Sequence, residues 1–284
     1  MNLVKTVALL GILSALLVAV GYWLIGGITG ATVGLVLAGI MNLSSWFFSD
    51  KIALAAYNAR PVSQAEAPQL YNMVEKLCDR ARLPMPAIYI IPTSAANAFA
   101  TGRDPDHAAV AVTEGIMRIL PEDELEGVIA HELSHVKNRD TLTQAVAATV
   151  AGGISWLTQI ASYGMWFGGG GRNDNRSNPI VMLLTIMLAP VAASIVQMAI
   201  SRTREFSADA GAGNLTGNPR ALAQALQRLD QSARQMPLNG NPAFEPLLIM
   251  NGFSGRFMAN LFSTHPPTEA RIEKLLELEQ KLLG

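Results

Sequence analysis

The chain has 284 residues, with 21 lysines and arginines against 22 aspartates and glutamates, so a net charge of −1 gives no ground for a nucleic-acid partner. Half of the residues are hydrophobic and only 15% are charged, with a mean hydropathy of +0.27. A soluble domain carries about 25% charged residues, so the composition argues against a wholly soluble protein and for a chain partly embedded in a membrane.

The first element is apolar. No charged residue lies between Thr6 and Phe48, and a bilayer core takes roughly 20 apolar residues per helix, so this stretch holds two spans. Gly26 and Gly27 mark the break, placing the spans near Val7–Ile25 and Ala31–Phe48, with Tyr22, Trp23 and Trp46 at interfacial depth. A cleaved signal peptide is the alternative for the first span; the second apolar span that follows at once counts against it.

From Lys51 to Asp140 the sequence turns polar. Leu70, Met73, Val74 and Leu77 share one face of a helix expected over Ala67–Ala81. "AIYIIP" (Ala87–Pro92) and "AAVAVT" (Ala108–Thr113) read as strands, and "RDPD" (Arg103–Asp106) as a turn, giving a small sheet of two or three strands. His107, just after that turn, reads as solvated. Pro121 then opens a helix, with Glu122, Asp123 and Glu124 in the first turn where the helix dipole favours acids. This helix is expected to run through His131 and His135 and on towards the membrane.

Two more uncharged regions follow, Thr141–Gly171 and Ser177–Ser201, separated by the glycine-rich "GGGGRNDNRSN" (Gly168–Asn178). Gln144, Gln159 and Gln197 make this pair less apolar than the first, so buried core helices compete here with membrane spans; Pro190 is compatible with a span. Lys5, Lys51 and Arg60 flank the first pair on one face, and Lys137, Arg139, Arg202 and Arg204 flank the second on the same face, against Arg172 and Arg176 on the other. The positive-inside bias therefore places both termini and both large polar segments in the cytoplasm, with Arg202 and Arg204 as topology determinants. Cys78 is the only cysteine, which excludes an intramolecular disulfide and fits a reducing compartment. The C-terminal part reads as helices over Arg202–Gly213, Pro219–Arg234 and Pro267–Leu283.

Chemistry concentrates in "HELSH". At i and i+4 on a helix, His131 and His135 can present both imidazoles to one ion, with Glu132 close enough to reach a water on it. Two solvated histidines on a helix end are the competing reading. A catalytic zinc site needs a third protein ligand and an open position. The other histidines are His107 and His265, and neither sits at a metzincin spacing, which turns attention to carboxylates. "SRTREFSADAGAG" (Ser201–Gly213) puts Glu205 and Asp209 four apart on another helix. The histidine pair ends just before the third uncharged region and Glu205 begins just after the fourth, so an antiparallel hairpin returns both to one membrane face.

"HELSH", "EFSAD", "NAFATG" and "HPPTEARI", in this order among four apolar segments, resemble the HtpX family of membrane-bound zinc endopeptidases over essentially the whole chain. The resemblance implies one zinc ion on His131, His135 and Glu205, with Glu132 as the base. It also implies that Asp209 holds a histidine ligand, against the alternative of a solvated carboxylate. By the same resemblance His265 is the candidate donor to the oxyanion, with Arg271 a weaker one and a plain helix-entry histidine the alternative. "NAFATG" resembles an edge strand beside the metal, with Asn97 and Ala98 as main-chain contacts to substrate; a plain strand and turn is the alternative.

The expected fold is mainly α with a small β-sheet, an α+β zincin-type catalytic domain combined with about four transmembrane helices. Its parts are a membrane hairpin over 1–50, a catalytic segment over 51–140, a second hairpin over 141–200 and a helical segment over 201–284. The resemblance further implies a bacterial cytoplasmic (inner) membrane enzyme acting on membrane and unfolded proteins in stress-linked quality control, alongside other membrane quality-control proteases, with self-cleavage. A prenyl-protein endopeptidase shares both metal motifs, and four apolar segments count against it because those enzymes have more spans. A catalytically silent metal-binding scaffold would be marked by loss of Glu132, which is present.

Overall fold

The computed structural model of the chain describes residues 2–22, 26–149, 202–236, 238, 247–249 and 266–283. It begins with α1 (Asn2–Gly21) and α2 (Gly27–Ala56), which pack as an antiparallel hairpin. Gly26 and Gly27 turn the chain with φ of 99° and 58°, a conformation that only glycine adopts without steric cost. Among the described residues α2 is the one helix long and apolar enough to cross a membrane, and it runs past Phe48 through Asp50 and Lys51 to Ala56. Its outer face is bare. Ile28, Leu35, Val36, Ile40, Leu43, Phe47 and Phe48 are all exposed, a patch that calls for lipid or another apolar partner.

Inside the hairpin, small residues let the two backbones touch. A Cβ on Gly34 would run into the main-chain carbonyl of Leu17, and one on Gly21 into that of Gly30. Asn42 Nδ2 donates to Ser14 Oγ at 2.8 Å, the kind of polar link that ties helices where water is absent. A helical run over 141–149 joins this pair. Val146 and Ala147 cluster with Leu13, Leu17 and Met41, and Thr6 Oγ1 lies 2.9 Å from Thr143 Oγ1. The rest of the second apolar pair, with its glycine-rich connector, lies outside the described residues.

The polar part is built on a sheet of four strands rather than two or three. β1 (Arg60–Pro61), β2 (Ala87–Ile91), β3 (Ala98–Gly102) and β4 (Ala108–Thr113) stand in the order β1-β2-β4-β3. β2 and β4 are parallel. β3, from "NAFATG", pairs antiparallel with β4 and is an outer strand of the sheet. The other outer strand is the dipeptide Arg60–Pro61, where a proline lacking its N–H does no harm.

Among the described residues six helices pack on one face, α3 (Pro68–Ala81), α4 (Glu114–Ile119), α5 (Glu122–Lys137), α6 (Arg202–Thr216), α7 (Pro219–Gln235) and α8 (Thr268–Leu283), and the end of α2 packs on the other. Alternation along the strands divides their side chains between two cores. Ala98, Ala100, Val110 and Val112 face a core made with Leu77 of α3, Val128 and Ile129 of α5, and Leu222 and Leu226 of α7. Phe99, Ala109 and Ala111 face the opposite side, against Ala53, Leu54 and Tyr57 at the end of α2. α2 is therefore one rod, about 45 Å long, joining the apolar hairpin to the sheet. Cys78 is buried in the first core, and burial pushes its thiol up to about 11, so it stays protonated and unreactive.

Substituting Gly34→Leu should force α1 and α2 apart and cost about 1–3 kcal/mol. Gly39→Leu, on the same helix where an added Cβ meets nothing within 4 Å, should cost little. Melting temperatures of the two detergent-purified variants give the comparison; equal melting would refute the close α1–α2 contact.

Candidate metal centre

Two helices present the donor atoms. α5 sets His131 and His135 one turn apart, and α6 does the same for Glu205 and Asp209. The helices approach closely because Gly211 faces Ser134: a Cβ on the glycine would lie 2.7 Å from the serine Oγ. The Nε2 atoms of His131 and His135 are 3.2 Å apart. Glu205 Oε2 is 3.7 Å from the first and its Oε1 3.5 Å from the second. Ligands at about 2.0–2.1 Å around a tetrahedral ion stand roughly 3.3 Å from each other, so the three side chains fit one ion. Among the described residues no other such group has its donor atoms within 4.8 Å of one another.

Charge supports the same reading. The carboxylates of Glu132, Asp140, Glu205 and Asp209 are all buried. They face two guanidinium groups, those of Arg271 and of Arg204, the latter 11% exposed. The carboxylates outnumber the guanidinium groups, and a bound cation would offset the difference where water cannot.

Each histidine is held from behind. His131 Nδ1 is 2.9 Å from Asp209 Oδ1, which turns Nε2 towards the shared centre and fixes the ring. Asp209 is in turn gripped by Arg271, whose Nε and Nη2 donate to its two oxygens at 2.8 and 2.7 Å, a bidentate fork. The remaining Arg271 nitrogen, Nη1, donates to the Ile249 carbonyl at 3.1 Å. Arg271, the weaker of the two oxyanion candidates in the sequence, is thus a buried strut behind His131.

His135 has a carboxylate of its own that sequence reasoning missed. α5 does not run on towards the apolar stretch; it stops at Lys137. Arg139 takes a left-handed φ of 57°, its N–H bonds the Val136 carbonyl, and the Asp140 N–H bonds the His135 carbonyl. This double closure is a common helix ending, and it swings Asp140 back until Oδ2 lies 3.2 Å from His135 Nδ1. Glycine is the usual signal for such an ending, and an arginine in its place conceals it. Arg204, read from sequence as a topology determinant, faces Asp140 at 3.8 Å.

Glu132 meets the sheet. Its Oε2 accepts the Ala100 N–H at 2.7 Å, so β3 does run beside the metal group. The strand is buried at every residue, however, and is not an open edge. Asn97 cannot offer its main chain to a substrate: its N–H donates to Thr113 Oγ1 at 2.9 Å and its carbonyl accepts the Thr113 N–H at 3.0 Å, both towards β4. The Ala98 N–H donates to Asn97 Oδ1 at 3.0 Å, and the Ala98 carbonyl accepts the Ile249 N–H, also at 3.0 Å. His107 is exposed and pairs with Asp104 at 2.6 Å, outside the metal group. His265 lies outside the described residues.

Burial governs protonation here. It pushes the His131 imidazole below its ordinary value in spite of Asp209, favouring the neutral form that binds metal. Burial acts on His135 in the same sense, but Glu205, Asp140 and Glu132 outweigh it and hold that imidazole up. Burial raises Glu132 to about 8. Burial also opposes ionisation of Asp209, yet the adjoining Arg271 overcomes it and holds the carboxyl well below the usual range.

The chain is similar to known proteins. The family model described as Peptidase family M48 matches residues 64–279. A Nostoc punctiforme protein named Protease HtpX homolog is 68% identical over 282 residues, covering 99% of this chain and 98% of its own. A Pyrococcus furiosus protein of the same name is 50% identical over 280 residues, covering 98% and 96%. The crystal structure of Ste24p from S. mikatae matches with a TM-score of 0.51 at 22% identity, over 85% of this chain and 57% of that one. That last likeness concerns the fold alone.

Asp140→Asn should lower metal affinity by about 10–100-fold while leaving the fold intact. Competition with a chromophoric chelator reads this directly, and parental affinity would remove Asp140 from the site. Asp209→Ala strips the buried Arg271 of its bidentate partner, leaving Glu205 at 3.9 Å, and should cost about 3–5 kcal/mol. Denaturant melts of the detergent-purified protein check it.

Proposed function

The chain belongs to peptidase family M48, and on that premise we propose that it is a membrane-embedded zinc endopeptidase that cuts misfolded membrane proteins and unfolded chains. The observation that carries this reading is the meeting of His131, His135 and Glu205 in one group, with Glu132 anchored beside it on the edge of β3. Two nitrogens and one carboxylate suit zinc and leave a position for water and substrate.

A bound zinc ion would supply Lewis-acid activation of water and of the scissile carbonyl. The protein supplies the proton transfers. Glu132, held through Oε2 by the Ala100 amide, takes the proton of the attacking water on Oε1 and delivers it to the leaving amine nitrogen. Asp209 and Asp140 keep the two imidazoles oriented throughout. His265 is assigned as a donor to the developing oxyanion, on the strength of its place in "THPPTEARI".

Four spans remain our reading of the membrane part. Support comes from α2, which is apolar over most of its length and bare on its outer face. It comes too from the start of the third apolar region, which packs beside α1 through Thr6 and Thr143. Basic residues flanking the spans place the site and both termini on the cytoplasmic face of a bacterial inner membrane. A metal site so near the bilayer suits membrane-bound and unfolded substrates, in quality control shared with other membrane proteases.

The experiment is cleavage of an unfolded protein such as β-casein by detergent-purified protein, stripped with a chelator and restored with zinc. Glu132→Gln runs in parallel. We expect zinc-dependent cleavage by the parent and a loss of at least about 10²–10⁴-fold in the variant, with zinc content unchanged. Equal cleavage by both would remove Glu132 as the base.

A further inference from the structure

An extended peptide binds a sheet by adding to an outer strand, using that strand's outward N–H and carbonyl groups at alternate residues. On β3 the outward groups include the Ala98 carbonyl and the Ala100 N–H. Both are taken by the protein itself. Ala100 donates to Glu132, and Ala98 accepts from the N–H of Ile249.

The Ile249 contact is built on more than one bond. Ile249 is buried at 1% exposure, and its side chain belongs to the core that includes Ala98, Ala100, Val128 and Ile129. Its carbonyl accepts from Arg271 Nη1, the same guanidinium that steadies Asp209 behind His131. Leu247 and Leu248, just before it, are buried on the other side of β3 with Phe99 and the end of α2. The tripeptide Leu247–Ile249 thus wraps the outer edge of β3 from one face to the other beside the metal group.

We propose that Leu247–Ile249 is an internal plug, which holds the place of an extended substrate on the β3 edge and must be displaced before a chain can be cut. The inference rests on the peptidase reading above. The Ile249 N–H holds the acceptor that a substrate amide would use, and its aliphatic side chain fills the space alongside. Substrate therefore competes with a covalently tethered rival, which multiplies the apparent KM by the reciprocal of the fraction of time the plug is unseated. An enzyme of broad tolerance inside a cell is kept quiet by such a device until extended, unfolded chain is abundant.

Two variants test it from opposite ends of the contact. Ile249→Pro removes the N–H that bonds Ala98, and Ile249→Ala keeps that N–H but empties the apolar seat. Steady-state cleavage of β-casein by zinc-loaded, detergent-purified protein is measured for both and for the parent, together with zinc content and melting temperature. We expect KM to fall by about threefold to tenfold in each variant, with kcat little changed. An Ile249 that only fills space would give the reverse, lower melting with unchanged or raised KM, and that result from both variants overturns the plug. Absence of cleavage from all three proteins with zinc bound would instead overturn the peptidase reading, and the plug with it.

Discussion

The Arg271–Asp209–His131 chain is the interaction on which the remainder of the site depends. Arg271 comes from α8, Asp209 from α6 and His131 from α5. A fork of 2.7 and 2.8 Å followed by a 2.9 Å contact fastens the three helices at one buried point. In a low-dielectric interior each group is costly alone and tolerable only in company. The carboxylate that orients the histidine therefore has to be neutralised from its far side, and the guanidinium does this. A second and looser version, Arg204 to Asp140 to His135, supports the other histidine in the same way.

This arrangement explains why the catalytic part is mostly helix around a small sheet. Helices place pairs of side chains one turn apart with little ambiguity, and both donor pairs use that spacing. The sheet does a different job. Its outer strand supplies an amide that sets Glu132 at the edge of the metal group, and its opposite face receives the end of α2. Because α2 is continuous from the apolar hairpin to the sheet, the height of the metal group above the hairpin is set by a rigid helix rather than by a linker.

The carboxylate excess around the histidines gives the site two demands that pull together. Folding without a cation leaves unbalanced charge buried, and metal binding removes that burden while fixing the geometry. Burial favours neutral His131, whereas the surrounding carboxylates favour protonated His135.

Much of this was legible in the sequence. The apolar hairpin could be read because glycines at positions 26 and 27 interrupt an uncharged run. β2, β4, α3, the start of α5 and the three C-terminal helices were legible because period and capping are local, whereas α4 and the end of α5 were not. His131, Glu132 and His135 were legible because a helix turns spacing in the chain into spacing in space. Glu205 could be joined to them only through topology, and the structure brings it there. Asp140 was not legible, because its position depends on a left-handed arginine that looks like any other loop residue. The role of Arg271 was not legible either, since a guanidinium 62 positions from Asp209 in the chain carries no local mark of its partner. The edge of β3 looked open because nothing in "NAFATG" announces that Ile249 will cover it. Sequence determined what is set by neighbours along the chain: most helices and strands, the apolar stretches and the spacing of the histidine pair. Tertiary structure alone decided which distant charge compensates which, and what lies on the strand beside the metal, because those are settled by the desolvation of groups that meet only once the chain has folded.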